Sequence, residues 1–133
     1  MNQKRIIIVD DDDSVLVTIA RILELEGYAV ETAKTGQEAI KKSNLASYNL
    51  AIIDLRLPDM NGADLLTAMR KTTPRMVKIM LTGYPPSEDR TETIKENADD
   101  YLVKPVEIEK LLRIVKEHLE KQESAGDCAS TAI

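Results

Sequence analysis

Acidic side chains follow directly after two short apolar runs of the sequence, which concentrates carboxylates at the ends of those runs. Asp10 to Asp13 follow the apolar run 6–9, and Asp54 follows the apolar run 50–53. Two carboxylates about 4 Å apart repel each other by roughly 4 kcal/mol at an effective dielectric constant near 20, a cost that a divalent cation removes. Oxygen ligands that leave open positions for water and phosphate suit Mg²⁺. If the fold brings the two runs together, the carboxylates predict a magnesium site.

A hydroxyl group and an ammonium group follow two other apolar runs in the same way. The run 77–81 ends in Thr82, and the run 101–103 ends in Lys104 and Pro105. A carboxylate beside a divalent cation can attack a phosphoryl group and become an acyl phosphate. Catalysis of that transfer is mostly positioning and neutralisation of charge on the phosphoryl oxygens by metal, ammonium and hydroxyl groups. The four run ends together supply each group that phosphoryl transfer to an aspartate needs.

The apolar runs are short and rich in β-branched residues, which is typical of strands buried on both faces. The predicted strands are 6–9, 28–33, 50–53, 77–81 and 101–103. Amphipathic stretches separate these strands, so the sequence predicts an α/β fold with a parallel sheet and helices on both faces. Ligands of such sheets bind at the carboxyl ends of the strands. The polar residues at the four run ends should therefore converge at one edge of the sheet.

Apolar residues at spacings of three and four mark the helices between the strands. The predicted helices are 14–26, 36–44, 63–71, 87–97 and 106–119. The segment 87–97 differs from the others because Ile94 is nearly its only large apolar residue. A helix with so little surface to bury is held weakly, which makes this segment the candidate for a conformational switch.

Length and composition limit the class of protein. The chain has 133 residues, which suits one domain, and the absence of Trp and Phe predicts an aliphatic core. The net charge of −5 argues against a direct nucleic-acid-binding surface. A single cysteine, Cys128, excludes an internal disulfide and fits a reducing compartment. The first apolar run is too short for a signal peptide or a membrane span, so we expect a cytoplasmic protein with no membrane contact.

The composition becomes small and polar after about residue 123, which is typical of disorder. We therefore expect the ordered domain at 4–120, and a disordered tail or the start of a linker at 121–133. No DNA-binding or catalytic domain is recognised after the last predicted helix. The chain is then either a stand-alone domain or one end of a longer protein.

Four stretches of the sequence resemble the receiver domain of two-component response regulators. The matching stretches are 6–12, 50–62, 79–84 and 98–105, and each of them ends a predicted strand. Any one stretch is a weak signal, but four in this order are highly specific. The resemblance extends from about Lys4 to Leu119. It implies a flavodoxin-like, doubly wound sheet of five parallel strands in the order 2-1-3-4-5 with five flanking helices.

The resemblance implies a role for each acidic residue of the set. Asp54 would accept a phosphoryl group and would also contact Mg²⁺, which Mn²⁺ could replace. Asp11 would bind the metal directly, and Asp10 would bind it largely through water. The backbone carbonyl of Arg56 would be the third protein ligand.

The resemblance also implies roles for the residues at the ends of the fourth and fifth strands. Thr82 would donate to the phosphoryl group and move toward it on activation, and Lys104 would form an ion pair with it. Tyr101 matches the aromatic switch residue that turns inward when Thr82 moves. The peptide bond between Lys104 and Pro105 is expected to be cis.

The function implied is that of a phosphorylation-dependent signalling switch. A histidine kinase or a phosphotransfer protein would supply the phosphoryl group, and the chain would catalyse only its own phosphorylation and dephosphorylation. The change would reach an unidentified output partner or domain through the face formed by the fourth helix, the fifth strand and the fifth helix, with 87–97 as the bistable element. A second copy of the chain is a further expected partner, in a homodimer that forms on phosphorylation.

Three other functions remain open at this point. A Mg²⁺-dependent phosphatase with an aspartyl nucleophile would be favoured by a second acid two residues after Asp54, where this chain has Arg56. A flavodoxin-like cofactor binder would need a Gly- or hydroxyl-rich loop after the first strand, where this chain has the acidic run. A degenerate receiver that only binds partners is disfavoured because the set of acidic residues, Thr82 and Lys104 is complete.

Some of the same residues also have simpler structural interpretations. Asp12 and Asp13 are expected mainly to cap the first helix, where carboxylates are favoured. Tyr101 could be a half-buried strand residue. His118 is expected to be a surface residue at a helix C-terminus, and Cys128 a bystander in the tail.

Overall fold

A sheet of five parallel strands forms the centre of the chain. The structure, a computed structural model, describes residues 3–83 and 97–131, with side chains as far as residue 123. The strands are β1 (Arg5–Val9), β2 (Ala29–Ala33), β3 (Leu50–Asp54), β4 (Val77–Thr82) and β5 (Asp100–Val103). Their order in the sheet is β2-β1-β3-β4-β5, and every neighbouring pair is parallel. The predicted fold class and strand order are therefore confirmed.

Four helices lie within the described residues. They are α1 (Asp13–Leu25), α2 (Gly36–Leu45), α3 (Gly62–Thr72) and α4 (Ile108–Thr131). The first three begin at polar N-caps, Asp12, Thr35 and Asn61, whose side chains accept hydrogen bonds from backbone N–H groups of the first turn. The helix predicted at 87–97 lies outside the described residues, except for Asn97.

Two aliphatic layers cover the two faces of the sheet. Alternate side chains of the interior strand β1 belong to the two layers, with Ile6 and Ile8 on one face and Ile7 and Val9 on the other. The first layer is completed by apolar residues of α1 and α4, and the second by those of α2 and α3. All four isoleucine and valine side chains of β1 are fully buried. Burial on both faces explains why the strand is an unbroken apolar run.

The last helix is longer than the sequence predicts. The apolar stripe of α4 ends at Leu119, but the helix continues to Thr131, through most of the segment expected to be a disordered tail. Gln122 explains part of the extension, because its side chain bonds the backbone carbonyl groups of Asn49 and Arg75 at the amino edge of the sheet. The predicted boundary considered only apolar spacing, and these contacts are polar. The domain boundary at residue 120 stays a prediction.

Candidate functional site

Asp10 follows the interior strand β1 and is fully buried. Its backbone N–H donates to the carbonyl of Ala33, which continues the β1–β2 pairing by one residue. Its Oδ1 accepts the N–H of Asp12 at 2.9 Å. Its Oδ2 is buried and has no hydrogen-bond partner among the described residues. A buried carboxylate oxygen without a donor is costly unless a cation lies beside it.

Asp54 is the last residue of β3, the strand next to β1, and only 6% of its surface is exposed. Its Oδ1 accepts the backbone N–H of Arg56 at 3.3 Å. Its carboxylate lies near those of Asp10 and Asp11, with one oxygen of each residue within 4.8 Å of the others. The structure thus brings together the three carboxylates that the sequence assigned to a metal.

Lys104 supplies the positive charge of the site. It follows β5, and its backbone N–H donates to the carbonyl of Thr82, so β4 fixes its position. Its Nζ lies 3.0 Å from Asp10 Oδ2 and 3.5 Å from Asp54 Oδ2. The contact with Asp10 is a charge contact without hydrogen-bond geometry, since the same oxygen is without a hydrogen-bond donor. The cis peptide bond predicted between Lys104 and Pro105 is confirmed.

Burial and neighbouring charges shift the pKa values of Asp54 and Lys104. Burial raises the pKa of Asp54 above its ordinary value, and the neighbouring Asp10 carboxylate raises it further, while the Arg56 N–H and Lys104 oppose the change. Burial disfavours the charged form of Lys104, but the contacts with Asp10 and Asp54 outweigh it and raise the pKa of the ammonium. Two carboxylates share one ammonium, so the site has an excess of negative charge.

The donor set fits a divalent cation. The ligands are carboxylates, which Mg²⁺ prefers, and the three residues differ in burial, with Asp11 exposed and Asp10 and Asp54 buried. Asp10, whose Oδ2 has no hydrogen bond within the described part of the chain and lies 3.0 Å from the Lys104 ammonium, is one of the three residues of this cluster. A cation held by exposed and buried carboxylates together would remain accessible to water and to a phosphoryl group.

Thr82 and Tyr101 lie on the two strands beyond Asp54. Thr82 ends β4 and is 4% exposed, and the preceding residue, Leu81, is in register with Asp54. Tyr101 lies on the edge strand β5, and its side chain is exposed. The structure therefore places Thr82 one residue beyond the register partner of Asp54, and Tyr101 at the surface of the same half of the sheet.

Three other residues considered in the sequence have structural partners, and Cys128 falls outside the described side chains. Asp12 is the N-cap of α1, as predicted, and accepts the N–H of Ser14 at 2.9 Å. Asp13 forms an ion pair with Lys34 at 2.7 Å. The prediction for His118 is wrong, because this residue is half-buried within α4 and its Nε2 lies 3.0 Å from Asp100 Oδ2. The contact of His118 on α4 with Asp100 on β5 is a tertiary contact, and the local sequence gives no signal for it.

The sequence missed the role of Asp59 in the loop between β3 and α3. Both of its carboxylate oxygens accept backbone N–H groups at the start of α2, from Gly36 at 2.8 Å and from Gln37 at 2.9 Å. These donors hold the pKa of Asp59 below its ordinary value. Asp59 lies within a stretch that the resemblance covers, but its partners are more than twenty residues away, so local sequence gave no signal for the contact.

Known proteins share the sequence pattern and the fold of this chain. The family described as the response regulator receiver domain matches residues 6–116. A solved CheY-like receiver domain protein from Methanospirillum hungatei JF-1 is 44% identical, with a TM-score of 0.89, and the alignment covers 93% of this chain and 99% of that one.

Two curated relatives are longer proteins. The transcriptional regulatory protein PrrA of Mycobacterium bovis is 32% identical over 129 residues, which are 97% of this chain and 55% of the relative. The acid tolerance regulatory protein ActR of Rhizobium meliloti is 38% identical over 109 residues, 82% of this chain and 56% of the relative. The chain thus spans about half the length of the curated relatives it matches.

An acidic cluster at the carboxyl edge of a sheet with the order 2-1-3-4-5 defines the class as a doubly wound α/β domain with a candidate metal site. The chain belongs to the response regulator receiver domain family of two-component systems. The resemblance drawn from the four sequence stretches is therefore confirmed. Within the part of the chain that the structure describes, no helix has the length and apolar character needed to cross a bilayer.

Proposed function

We propose that Asp54 accepts a phosphoryl group and that this reaction operates the chain as a switch. The observation that carries the proposal is the placement of Asp54 at a strand end, with Asp10 and Asp11 within 4.8 Å and the Lys104 ammonium at 3.5 Å. An aspartate with only a structural role would not require two further carboxylates and an ammonium group beside it. A nucleophile that must accept a dianionic group needs both the metal-binding carboxylates and the cation.

Mg²⁺, or Mn²⁺ in its place, would be held by Asp10, Asp11, Asp54 and the backbone carbonyl of Arg56. When bound, the ion neutralises charge on the carboxylates and on the phosphoryl oxygens. The three carboxylates, each with one oxygen within 4.8 Å of the others, support this assignment. Lys104 alone cannot balance the cluster, since it faces two buried carboxylates.

The donor is a phosphohistidine of a histidine kinase or of a phosphotransfer protein. A carboxylate oxygen of Asp54 attacks phosphorus, the P–N bond breaks, and the leaving imidazole nitrogen takes the electron pair. Lys104 stabilises the negative charge of the transferred group, and the Thr82 hydroxyl donates a hydrogen bond to it. The chain catalyses only its own phosphorylation and the later hydrolysis of the acyl phosphate.

The phosphorylated state is read by an output partner or output domain. Thr82 and Tyr101 would change position together, and the altered surface would include β5 and α4. The predicted helix at 87–97, which would complete this face, lies outside the described residues. A phosphorylation-dependent homodimer is one form that the output could take, and the expected location is the cytoplasm.

Incubation with acetyl phosphate and Mg²⁺ tests the proposal by intact-protein mass spectrometry. The wild-type chain should gain one phosphoryl group, and EDTA should prevent the gain. Asp54→Asn should gain none. Asp13→Asn is the matched control, because Asp13 lies in the same acidic run but pairs with Lys34 outside the cluster, and it should label like wild type.

Labelling of Asp54→Asn to the wild-type extent would show that Asp54 is not the acceptor. Repeated turnover of free phosphate esters would instead favour the phosphatase alternative.

A further inference from the structure

The loop between β3 and α3, residues 55–61, is held at its tip by Asp59. The two oxygens of this carboxylate accept the N–H groups of Gly36 and Gln37, the first two residues of α2. These N–H groups have no partners within the helix itself, so an acceptor from elsewhere satisfies them. Both oxygens of Asp59 point at the helix. Asp59 is therefore a connection between the loop and α2.

Helix α2 already has its own N-cap. Thr35 Oγ1 accepts the N–H of Glu38 at 3.0 Å. The end of the helix thus uses one acceptor from its own segment and two from the loop. The helix therefore has a local cap for the Glu38 N–H, and the contact with Asp59 additionally ties the loop to the helix.

Two glycines allow the loop to lie close to its neighbours. A Cβ atom on Gly36 would lie 2.6 Å from Met60 Cγ, so the loop packs directly on the start of α2. A Cβ atom on Gly62 would lie 2.7 Å from Leu55 Cα, so the start of α3 packs directly on the end of β3. The Gly62 N–H also donates to the Leu55 carbonyl at 2.7 Å. The loop is consequently fixed at its base as well as at its tip.

Arg56 lies between these two fixed points. It pairs with Asn61 in an isolated antiparallel bridge, and Asn61 in turn caps α3. The backbone conformation at Arg56 is therefore set by the closure of the loop. A change at the tip would alter the bridge, and with it the position of the Arg56 carbonyl.

We propose that Asp59 is a positioning residue for metal binding, whose clamp on α2 holds the loop so that the Arg56 carbonyl is placed as a ligand. This inference rests on the proposed function, which assigns that carbonyl to the metal. Asp59 is not one of the three carboxylates of the acidic cluster, so it would act through the loop. The clamp also links the position of α2 to the affinity for Mg²⁺.

Mg²⁺ titration by isothermal calorimetry tests the inference, with thermal unfolding measured on the same samples. Asp59→Ala removes both acceptors and should weaken Mg²⁺ binding about tenfold, the size of effect expected for a residue that orients a ligand. Asp59→Asn retains one acceptor and should lie between Asp59→Ala and wild type. It also keeps the test valid if Asp59→Ala does not fold.

Thr35→Ala is the matched control, because it removes a cap from the same helix end without touching the loop. It should lower the unfolding temperature but leave the Mg²⁺ affinity within twofold of wild type. An unchanged affinity in both Asp59 variants, or an equal loss in Thr35→Ala, would overturn the inference alone. Absence of Mg²⁺ binding by the wild-type chain would overturn the proposed function as well.

Discussion

Asp54 and Asp10 bring two buried carboxylates against a single ammonium group, and this imbalance sets the properties of the site. Lys104 Nζ lies closer to Asp10 than to Asp54, at 3.0 Å against 3.5 Å. The raised pKa of Asp54 follows from its burial and from the neighbouring Asp10 carboxylate, which the single ammonium does not offset. The residue that must react is kept at a cost in stability, as is common for functional groups.

Asp54→Asn should stabilise the chain at neutral pH when no divalent ion is present. Because the folded state raises the pKa of Asp54, the unfolded state loses the proton more easily. The wild-type chain matches the variant below the unfolded pKa near 3.8 and loses stability as pH rises through the folded pKa. At pH 7 the variant should gain on the order of 1 kcal/mol in the free energy of unfolding, measured by urea denaturation.

Saturating Mg²⁺ should reverse the order of the two proteins, since the ion binds the native wild-type site more tightly than the variant site. A variant that is less stable than wild type in EDTA at pH 7 would contradict the prediction. It would mean that attraction to Lys104 exceeds the cost of burial and of repulsion from Asp10.

The strand-end residues could be predicted individually from the sequence, but their pairings could not. Polar residues after apolar runs place Asp10, Asp54, Thr82 and Lys104 at strand ends, and parallel topology places them at one edge. The sequence assigned Lys104 to the phosphoryl group and did not indicate its closer contact with Asp10. Which of two carboxylates an ammonium approaches depends on tenths of an ångström in backbone position, and periodicity carries no such information.

At the scale of elements, the start of α3 is constrained by how closely it approaches β3. Gly62 opens the helix with its backbone against Asp54 and Leu55, where no Cβ atom fits. The neighbours at this point are backbone atoms, which cannot move aside as a flexible side chain can. The helix can begin here only because the residue is glycine.

Gly62→Ala should therefore lower the free energy of unfolding by about 1–3 kcal/mol, the range found for overpacked sites. The shift of α3 away from β3 should also disturb the loop 55–61 and slow labelling of Asp54 by acetyl phosphate. Gly83→Ala is the matched control near the same edge, since its added Cβ meets nothing within 4 Å among the residues that the structure describes. Its stability should stay within about 0.5 kcal/mol of wild type. Equal stability of both variants would contradict this account.

Most element boundaries follow from the sequence, and the exceptions have physical causes. The five strands and the first three helices agree with their predicted ranges to within one residue at each end.

Lys78 shows that a buried strand need not be entirely apolar. Its ammonium donates to the Thr73 and Met76 carbonyls near the end of α3, and burial lowers its pKa. Such contacts depend on where a helix ends relative to a strand, which only the folded chain decides.

For the whole molecule, the two edges of the sheet have different tasks. The carboxyl edge gathers the charged groups of the site, whereas the amino edge is closed by neutral hydrogen bonds around Asn49. The Asn49 side chain accepts the Arg5 N–H at 2.8 Å and also donates to Gln122 at 3.3 Å. Helix α4 is consequently attached to the far end of the sheet from the site. This attachment lies beyond the apolar stripe from which the sequence predicted a boundary at residue 120.

A chain that ends at Glu120 should therefore have a lower free energy of unfolding than a chain that ends at Glu123. The shorter chain loses the bonds from Gln122 Nε2 to the Asn49 carbonyl at 2.8 Å and to the Arg75 carbonyl at 2.9 Å. Hydrogen bonds of this kind contribute about 0.5–1.5 kcal/mol each, and Arg75 is exposed, so the expected loss is about 1–2 kcal/mol in urea denaturation. Gln122→Ala in the full chain should reproduce most of that loss, because it removes the same bonds and retains the helix. If the two truncated chains unfold at the same urea concentration, the domain ends where the apolar stripe ends, and the contacts of Gln122 do not stabilise it.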